Sequence, residues 1–247
     1  MKIIGDGTSK TRKIYFARLF GRIIVLIFGI LLFIFKKEEF NILEGMNFFK
    51  GFSVLHILWG IWIWDMILQL IPVKAHISIG SQKVFSSMFR PIKEKINYKS
   101  LKKYILDTTK AAYKVMIIWI LLTLAISVLH IAGVVDSATI LVISIFFYVC
   151  DLICVLIWCP FRLIMGNKCC TTCRIFNWDH LMMFSPLITV KGFYGWTLLG
   201  LSVFIWLVWE LCVFAYPERF WENSNMALRC SECTDKLCTQ YCRKLRK

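Results

Sequence analysis

The sequence predicts an all-α membrane protein in which six transmembrane helices form three hairpins, together with a cytoplasmic amphipathic helix and a cysteine-rich tail. Three observations predict this fold. Hydrophobic residues make up 58% of the 247 residues and the mean hydropathy is +0.66, whereas soluble domains are about half apolar. These residues gather into long runs separated by short charged stretches, which is the pattern of membrane spans. The net charge of +15 falls mainly on alternate loops, as expected for loops on the cytoplasmic side.

Six apolar runs are candidate spans of a single membrane domain, residues 1–247. The first run follows a basic stretch and no small-residue cleavage site follows it, so we expect a retained span rather than a signal peptide. Arg18 and Arg22 lie one helical turn apart in this run, and we expect them to extend toward the membrane surface. The six runs are residues 17–35, 49–72, 115–134, 137–160, 175–190 and 196–215.

The fifth run decides on which side of the membrane the C-terminus lies. It is short, because a helix rises about 1.5 Å per residue and the hydrocarbon core is about 30 Å thick. Five spans, with residues 175–190 interfacial or re-entrant, are therefore the alternative. Charge favours six spans with both termini inside, because the outer segments then hold few basic residues, as the positive-inside rule requires. Those residues are Lys36, Lys37, Lys50 and Lys191.

Three acidic residues lie inside apolar runs and share one sequence pattern. Asp65, Asp151 and Glu210 are each followed by a proline and, two residues later, by a base. If the pattern is an internal repeat, the three helices run from outside to inside and the acids share one depth. Chance is the alternative, because a proline followed by a base often ends a span at the cytoplasmic face. The prolines are Pro72, Pro160 and Pro217.

The three acidic residues predict either an ion or proton path through the membrane or a packing contact between helices. A carboxylate in hydrocarbon costs several kcal/mol unless it is paired, protonated or hydrated, so such residues often mark an ion or proton path. The alternative is a clamp between helices, with Trp N–H or Tyr hydroxyl groups as partners. His56 and His130 are interpreted as hydrogen-bonded packing residues.

Residues 73–114 form a basic cytoplasmic loop that contains the predicted amphipathic helix. Ser100 is its predicted N-cap, and Leu101, Tyr104, Ile105 and Thr108 would share its apolar face. We expect this helix to lie on a leaflet of anionic lipid, and a solvated loop is the alternative. The basic residues that would meet the headgroups are Lys99, Lys102, Lys103 and Lys110.

The eleven cysteines divide into packing residues and candidate ligands. Those in or at the ends of spans behave as small hydrophobes: Cys150, Cys154, Cys159 and Cys212. The others lie in a second cytoplasmic loop, residues 161–174, and in the polar tail, residues 218–247. Two C-x-x-C pairs, or the tail alone, predict a zinc or iron–sulfur site, and the absence of any metal is the alternative. The candidate ligands are Cys169, Cys170, Cys173, Cys230, Cys233, Cys238 and Cys242.

Asp179 and His180 begin the doubtful fifth run. They are candidates for additional metal ligands or for a proton relay, and capping of a helix start is the alternative. No C-x-x-C-H motif for covalent haem is present, and no serine-hydrolase elbow, phosphate loop or metalloprotease pair is visible.

Three functions remain open from the sequence. The first is redox work, in which a cysteine-bound centre exchanges electrons with a carrier in the bilayer and an unknown redox partner while the acids handle protons. The second is a transporter or channel with structural zinc, and the third is a non-catalytic scaffold. Expected partners are the bilayer and its anionic headgroups, with homo-oligomers as an option, and no nucleic acid, because no nucleic-acid fold signature is present. The expected location is a bacterial cytoplasmic membrane.

Overall fold

The computed structural model describes residues 10–71, 83–167, 172–232 and 237. Every regular element in these ranges is helical, and two isolated bridges are the extent of β pairing there. The prediction of an all-α protein is therefore confirmed. The α-helices of the described residues are α1 (Lys10–Phe35), α2 (Val54–Leu70), α3 (Tyr98–Ile131), α4 (Ser137–Leu156), α5 (Phe161–Met165), α6 (Asp179–Phe184) and α7 (Phe193–Ala215).

Four helices, α1, α3, α4 and α7, are long and apolar enough to cross a membrane. Helix α2 is equally apolar but has 17 residues. The outward faces of these helices carry exposed isoleucine, leucine and phenylalanine side chains, which a soluble protein would bury. The described part of the chain therefore has the surface and helix lengths of an integral membrane protein.

Helices α2, α4 and α7 begin at the same end of the bundle, where α1 ends. The Trp59 indole N–H donates to Thr197 Oγ1 at 2.9 Å, which joins α2 to α7. Lys37, just after α1, forms a 2.5 Å ion pair with Asp136, which caps α4. We call this end the Lys37 end, and it comprises residues 36–53, 132–136 and 190–192.

The opposite end, which we call the Cys173 end, brings the basic loop and the C-terminal segment together. Arg219 Nη1 donates to the carbonyl of Val84 at 2.8 Å, and the N–H of Met226 donates to the carbonyl of Arg90 at 2.8 Å. The buried Lys83 donates from Nζ to the carbonyl of Cys173 at 3.3 Å. This end comprises residues 83–97, 157–167, 172–178 and 216–232.

Helix α3 differs from the expected surface helix. Asn97, not Ser100, is its N-cap, since Asn97 Oδ1 accepts from the N–H groups of Lys99 and Ser100. The helix then continues for 34 residues into the predicted third span, because no glycine or proline interrupts it. The predicted apolar face packs on protein: Leu101 is buried and Tyr104 stacks on Trp221 at 5.9 Å. The predicted cap and the separate surface helix are therefore wrong.

The predicted fifth span is not one regular helix. Residues 175–190, which we call the broken segment, consist of a 3₁₀ turn (Phe176–Trp178), α6 and a second 3₁₀ turn (Ser185–Thr189). Arg174 contacts Glu210 near the end of α7, and Gly192 directly precedes the first residue of α7. The broken segment therefore runs antiparallel to α7, between the Cys173 end and the Lys37 end.

Candidate functional site

An arginine and two carboxylates from three helices meet inside the bundle. Arg22 Nη1 donates to Asp151 Oδ2 and to the carbonyl of Tyr148, both at 2.7 Å. Arg22 Nη2 lies 4.0 Å from Asp65 Oδ2, and the Tyr148 hydroxyl donates to the same oxygen at 3.3 Å. The guanidinium carbon stands 3.8 Å from the centroid of the Tyr148 ring. These four residues, which we call the arginine cluster, place one positive charge between two acids.

The expectation that Arg22 extends to the membrane surface is wrong. Its side chain is 13% exposed, while Arg18, one turn earlier, is exposed. A buried guanidinium is stable at this depth because the carboxylates supply opposite charge and hydrogen bonds. The sequence contains one signal of this pairing. Arg22 precedes the last residue of α1 by about as many residues as Asp151 follows the first residue of α4, and these two helix ends meet at the Lys37 end.

A second polar cluster joins α2 to the broken segment. Gln69 Nε2 donates to Asp179 Oδ2 at 3.1 Å and lies 3.0 Å from His180 Nδ1, which is 3.2 Å from Asp179 Oδ1. All three side chains are largely buried within the described structure. Trp178 occupies the N-cap position of α6 without a side-chain capping bond, and the Asp179 carboxyl accepts from the backbone N–H of His180, so capping of the helix start stays an alternative. We call this group the Gln69 cluster, and Gln69 itself was not foreseen from the sequence.

Glu210 belongs to a third group. Arg174 binds it with both terminal nitrogens, at 2.8 Å to Oε1 and 2.5 Å to Oε2, and the Trp178 indole N–H donates to Oε1 at 2.9 Å. The Trp209 indole N–H fixes the carbonyl of Arg174 at 2.9 Å. Glu210 therefore has the partners of an interhelical clamp, whereas Asp65 and Asp151 share Arg22. Arg174 was missed because the sequence placed it in a polar loop.

A cavity of 260 Å³ lies between α3, α4 and the broken segment. The Cys154 thiol hydrogen-bonds that of Cys159. Asp151 of the arginine cluster and Asp179 of the Gln69 cluster also line the cavity, so both polar clusters border one apolar space. Three of the four cysteines assigned to packing, together with the candidate ligand Cys173, therefore face a space large enough for a small molecule. The thiols that line it are Cys150, Cys154, Cys159 and Cys173.

The predicted metal ligands are described in part. Cys173 is buried, Cys230 is half-buried, and neither forms a disulfide. Among residues 10–71, 83–167, 172–232 and 237, no group of three or more Cys, His, Asp or Glu side chains is arranged to hold a metal ion. The zinc and iron–sulfur expectations therefore stay predictions. The ligands that lie outside the described residues are Cys169, Cys170, Cys233, Cys238 and Cys242.

His56 and His130 make the hydrogen bonds expected of packing residues. His56 Nε2 lies 2.8 Å from the carbonyl of Phe48, and its Nδ1 accepts from the N–H of Ser53 at 2.9 Å. His130 Nδ1 lies 2.7 Å from the carbonyl of Val135. Both rings satisfy the backbone at helix ends near the Lys37 end.

No protein-family model, no curated protein and no solved structure matches the chain. Its function is therefore argued from the chemistry of these clusters and of the cavity between them.

Proposed function

We propose that this protein is an integral membrane redox protein that exchanges electrons between cysteine thiols, or a cysteine-bound centre, and a carrier dissolved in the bilayer. One observation carries the proposal: the same apolar cavity is lined by four cysteines and by two carboxylates of separate polar clusters. Cysteine thiols can release electrons reversibly by forming a disulfide, and a carboxylate can carry the accompanying proton. Cys150, Cys154, Cys159 and Cys173 take the first role, and Asp151 and Asp179 take the second.

The polar clusters supply ionisable side chains, which the apolar wall of the cavity lacks. Reduction of an organic carrier consumes protons as well as electrons, and a cavity that excludes water must receive them through side chains. Asp151 is held by Arg22, and Asp179 by Gln69 and His180. Asp179 and His180 are in contact and can each take up and release a proton, whereas Arg22 and Gln69 hold the two carboxylates in place beside the cavity.

The proposed topology has six crossings, arranged as three hairpins with both termini in the cytoplasm of a bacterial cell. The antiparallel course of the broken segment along α7 supports the fifth crossing. Contacts between the basic loop and the C-terminal segment at the Cys173 end support one common face for both, and the positive charge of that loop favours the cytoplasmic face. Four lysines on this side are exposed and available to anionic headgroups: Lys99, Lys102, Lys103 and Lys110.

Labelling in oriented vesicles tests the topology. The exposed positions Glu38, Lys102 and Asn223 are replaced singly by cysteine and treated with a membrane-impermeant maleimide. We expect Lys102→Cys and Asn223→Cys to react from one face and Glu38→Cys from the other, above the background of the unsubstituted protein. Reaction of Asn223→Cys from the face of Glu38→Cys would establish the five-span alternative instead.

A redox titration of the purified protein tests the function. The protein is isolated anaerobically, and the visible spectrum, the full metal content and the number of reactive thiols are measured on one sample. Dithionite and ferricyanide are then added in turn. Reversible uptake of electrons, seen as an iron-dependent visible band or as a reversible change in thiol number, supports the proposal. A sample in which neither signal changes would refute it, and colourless stoichiometric zinc would give the cysteines a structural role.

Transport is the second candidate, and the broken segment is the observation that favours it. Interrupted helices are tolerated at membrane depth where they are buried in protein or line a cavity, and transporters commonly build their sites from them. Here α6 carries Asp179 and His180 beside Asp151.

Flux measurements separate transport from redox work. The protein is reconstituted in liposomes loaded with a pH indicator, and proton or cation flux is compared with that of Asp151→Asn and Asp65→Asn. Flux that both variants abolish would favour transport. If neither flux nor reversible electron uptake occurs, a non-catalytic scaffold is the function that remains.

A further inference from the structure

We propose that the cavity binds the ring of a lipophilic quinone and that Cys154 and Cys159 form the dithiol that exchanges two electrons with it. This inference rests on the proposed redox function, and it adds the substrate class and the reacting thiols. It is carried by three features of the described residues: a thiol pair in contact, carboxylates on the same cavity, and a second apolar cavity that shares Trp119 and Met182 with the first.

The end of α4 brings the two thiols together. Cys154 lies in the last turn of α4, which ends at Leu156, and the N–H of Trp158 turns back to the carbonyl of Ile153 at 3.0 Å. Pro160 follows at once and cannot continue a regular helix. The chain therefore folds back so that Cys159 meets Cys154, and their thiols hydrogen-bond at the wall of the cavity.

A second cavity, of 400 Å³, lies between α3, the broken segment and α7. Trp119 and Met182 line both cavities, and the Trp119 indole N–H donates to the carbonyl of Met182 at 3.1 Å and to Ser185 Oγ at 2.9 Å. Trp119 therefore stands where the two spaces adjoin. The second cavity is almost wholly apolar, and Ile120 and Leu124 of its lining are exposed on the lipid side of α3.

This arrangement matches the two parts of a lipophilic quinone. The ring requires an apolar space bordered by groups that can protonate its oxygens, and Asp151 and Asp179 border the first cavity. The hydrocarbon tail requires an apolar path that opens to lipid, which the second cavity supplies. A lipid acyl chain would also fit the second cavity, but it has no group that could react with the thiols or accept protons from the carboxylates of the first.

The reaction balances without another reactant. The S–H bonds of Cys154 and Cys159 break and one S–S bond forms between them. Two electrons pass to the quinone ring and two protons pass to its oxygens, which become hydroxyl groups, so the dithiol is oxidised to a disulfide and the quinone is reduced to a quinol. Asp151 and Asp179 can relay the protons. The same steps in reverse would let a quinol reduce the disulfide.

The test uses full-length protein in detergent, reduced and freed of reductant under anaerobic conditions, with decylubiquinone as the probe. Loss of quinone absorbance gives the extent of reduction, and peptide mass mapping locates any new disulfide. We expect a disulfide that joins Cys154 to Cys159, formed together with quinol. Cys154→Ser and Cys159→Ser should each abolish this disulfide and lower the quinone reduction rate at least tenfold.

Cys212→Ser is the matched control, because Cys212 is a half-buried thiol of α7 that lines neither cavity. It should react as the unsubstituted protein does. Quinone reduction at the unsubstituted rate in both Cys154→Ser and Cys159→Ser, or a disulfide mapped to other cysteines, would overturn the dithiol while leaving the redox function intact. If decylubiquinone is not reduced by protein that takes up electrons reversibly in the titration, the quinone assignment is overturned and the redox function again stands. Failure of the titration itself would remove both.

Discussion

Arg22 of α1 donates a 2.7 Å hydrogen bond to Asp151 of α4 from the middle of an apolar helix. The same guanidinium faces Asp65 of α2 at 4.0 Å. One cation therefore connects three helices whose contacting residues lie far apart in the sequence. A buried ion pair of this kind is costly to break because the surviving charge is left without a partner.

We therefore expect Arg22→Gln to destabilise the protein by about 3 kcal/mol, the lower part of the range for removing one member of a buried pair. Thermal unfolding in detergent, followed by loss of the monodisperse chromatographic peak, measures the change. Arg18→Gln is the control, because Arg18 is exposed one turn away, and it should shift the midpoint little. The double variant Arg22→Gln/Asp151→Asn should recover part of the loss, and strict additivity of the two single variants would contradict the pairing.

The clamp between Arg174 and Glu210 predicts a strict requirement for arginine. Arg174→Lys keeps the charge but cannot form the two parallel bonds, so it should lose much of the stability that Arg174→Ala loses. We expect about 2 kcal/mol for Arg174→Lys, since charge-assisted bonds each contribute about 1.5–3 kcal/mol. Glu222→Gln, at an exposed site of the same end, provides the control for thermal unfolding. Equal stability of Arg174→Lys and unsubstituted protein would show that the paired geometry is unimportant.

Gly192 has a steric role at the Lys37 end. Its backbone is extended, with φ of −163°, so conformational strain does not require glycine there. A Cβ at this position would instead collide with the carbonyl of Leu43, where the chain also pairs with Gly45. We expect Gly192→Ala to cost about 1–3 kcal/mol, as overpacking does.

Gly200→Ala is the matched control for that change. Gly200 lies within α7, and a Cβ there meets nothing within 4 Å. Alanine in a helix interior is favoured over glycine by about 0.5–1 kcal/mol, so this variant should keep or raise the thermal midpoint. A Gly192→Ala protein as stable as Gly200→Ala would disprove the close approach to Leu43.

The Lys37–Asp136 pair predicts a pH effect. Partial burial acts to raise the pKa of Asp136, but hydrogen bonds from Lys37 and Thr139 outweigh it and lower the pKa from 3.8 to about 2. A carboxyl group whose pKa falls on folding stabilises the protein above its ordinary pKa, and this stabilisation is lost as pH falls through the lowered value. The advantage of the unsubstituted protein over Asp136→Asn should therefore be full at pH 5 and disappear near pH 2.

Thermal midpoints across this pH range provide the measurement. The difference should stay below about 1 kcal/mol, because the pair is solvent exposed. Asp136→Ala should lose about 1 kcal/mol more than Asp136→Asn, since asparagine can still cap α4 and alanine cannot. A constant difference between Asp136→Asn and the unsubstituted protein from pH 5 to pH 2 would contradict the assigned pairing.

The boundaries of the elements show where local sequence is informative. Helices α4 and α7 end shortly before Pro160 and Pro217, as proline chemistry requires. Helix α3 begins after Asn97 rather than after the predicted cap Ser100, because both residues are good N-caps. Which of the two caps the helix depends on which side chain the loop places beside the unpaired N–H groups. The length of the broken segment predicts that it is too short for a regular span, yet its division into two 3₁₀ turns and α6 depends on its packing against α7.

The sequence by itself determined that the chain forms helices, several of them long and apolar enough to cross a membrane, because the length and apolarity of a candidate span are properties of each segment alone. It also identified Asp65, Asp151, Glu210, Asp179 and His180 as side chains that need partners. Only the tertiary structure decided who those partners are, separating Glu210 with Arg174 from the acids of Arg22 and turning packing cysteines toward a cavity. Such choices depend on the rotation and depth of helices distant in sequence, which interhelical packing fixes and no local pattern records.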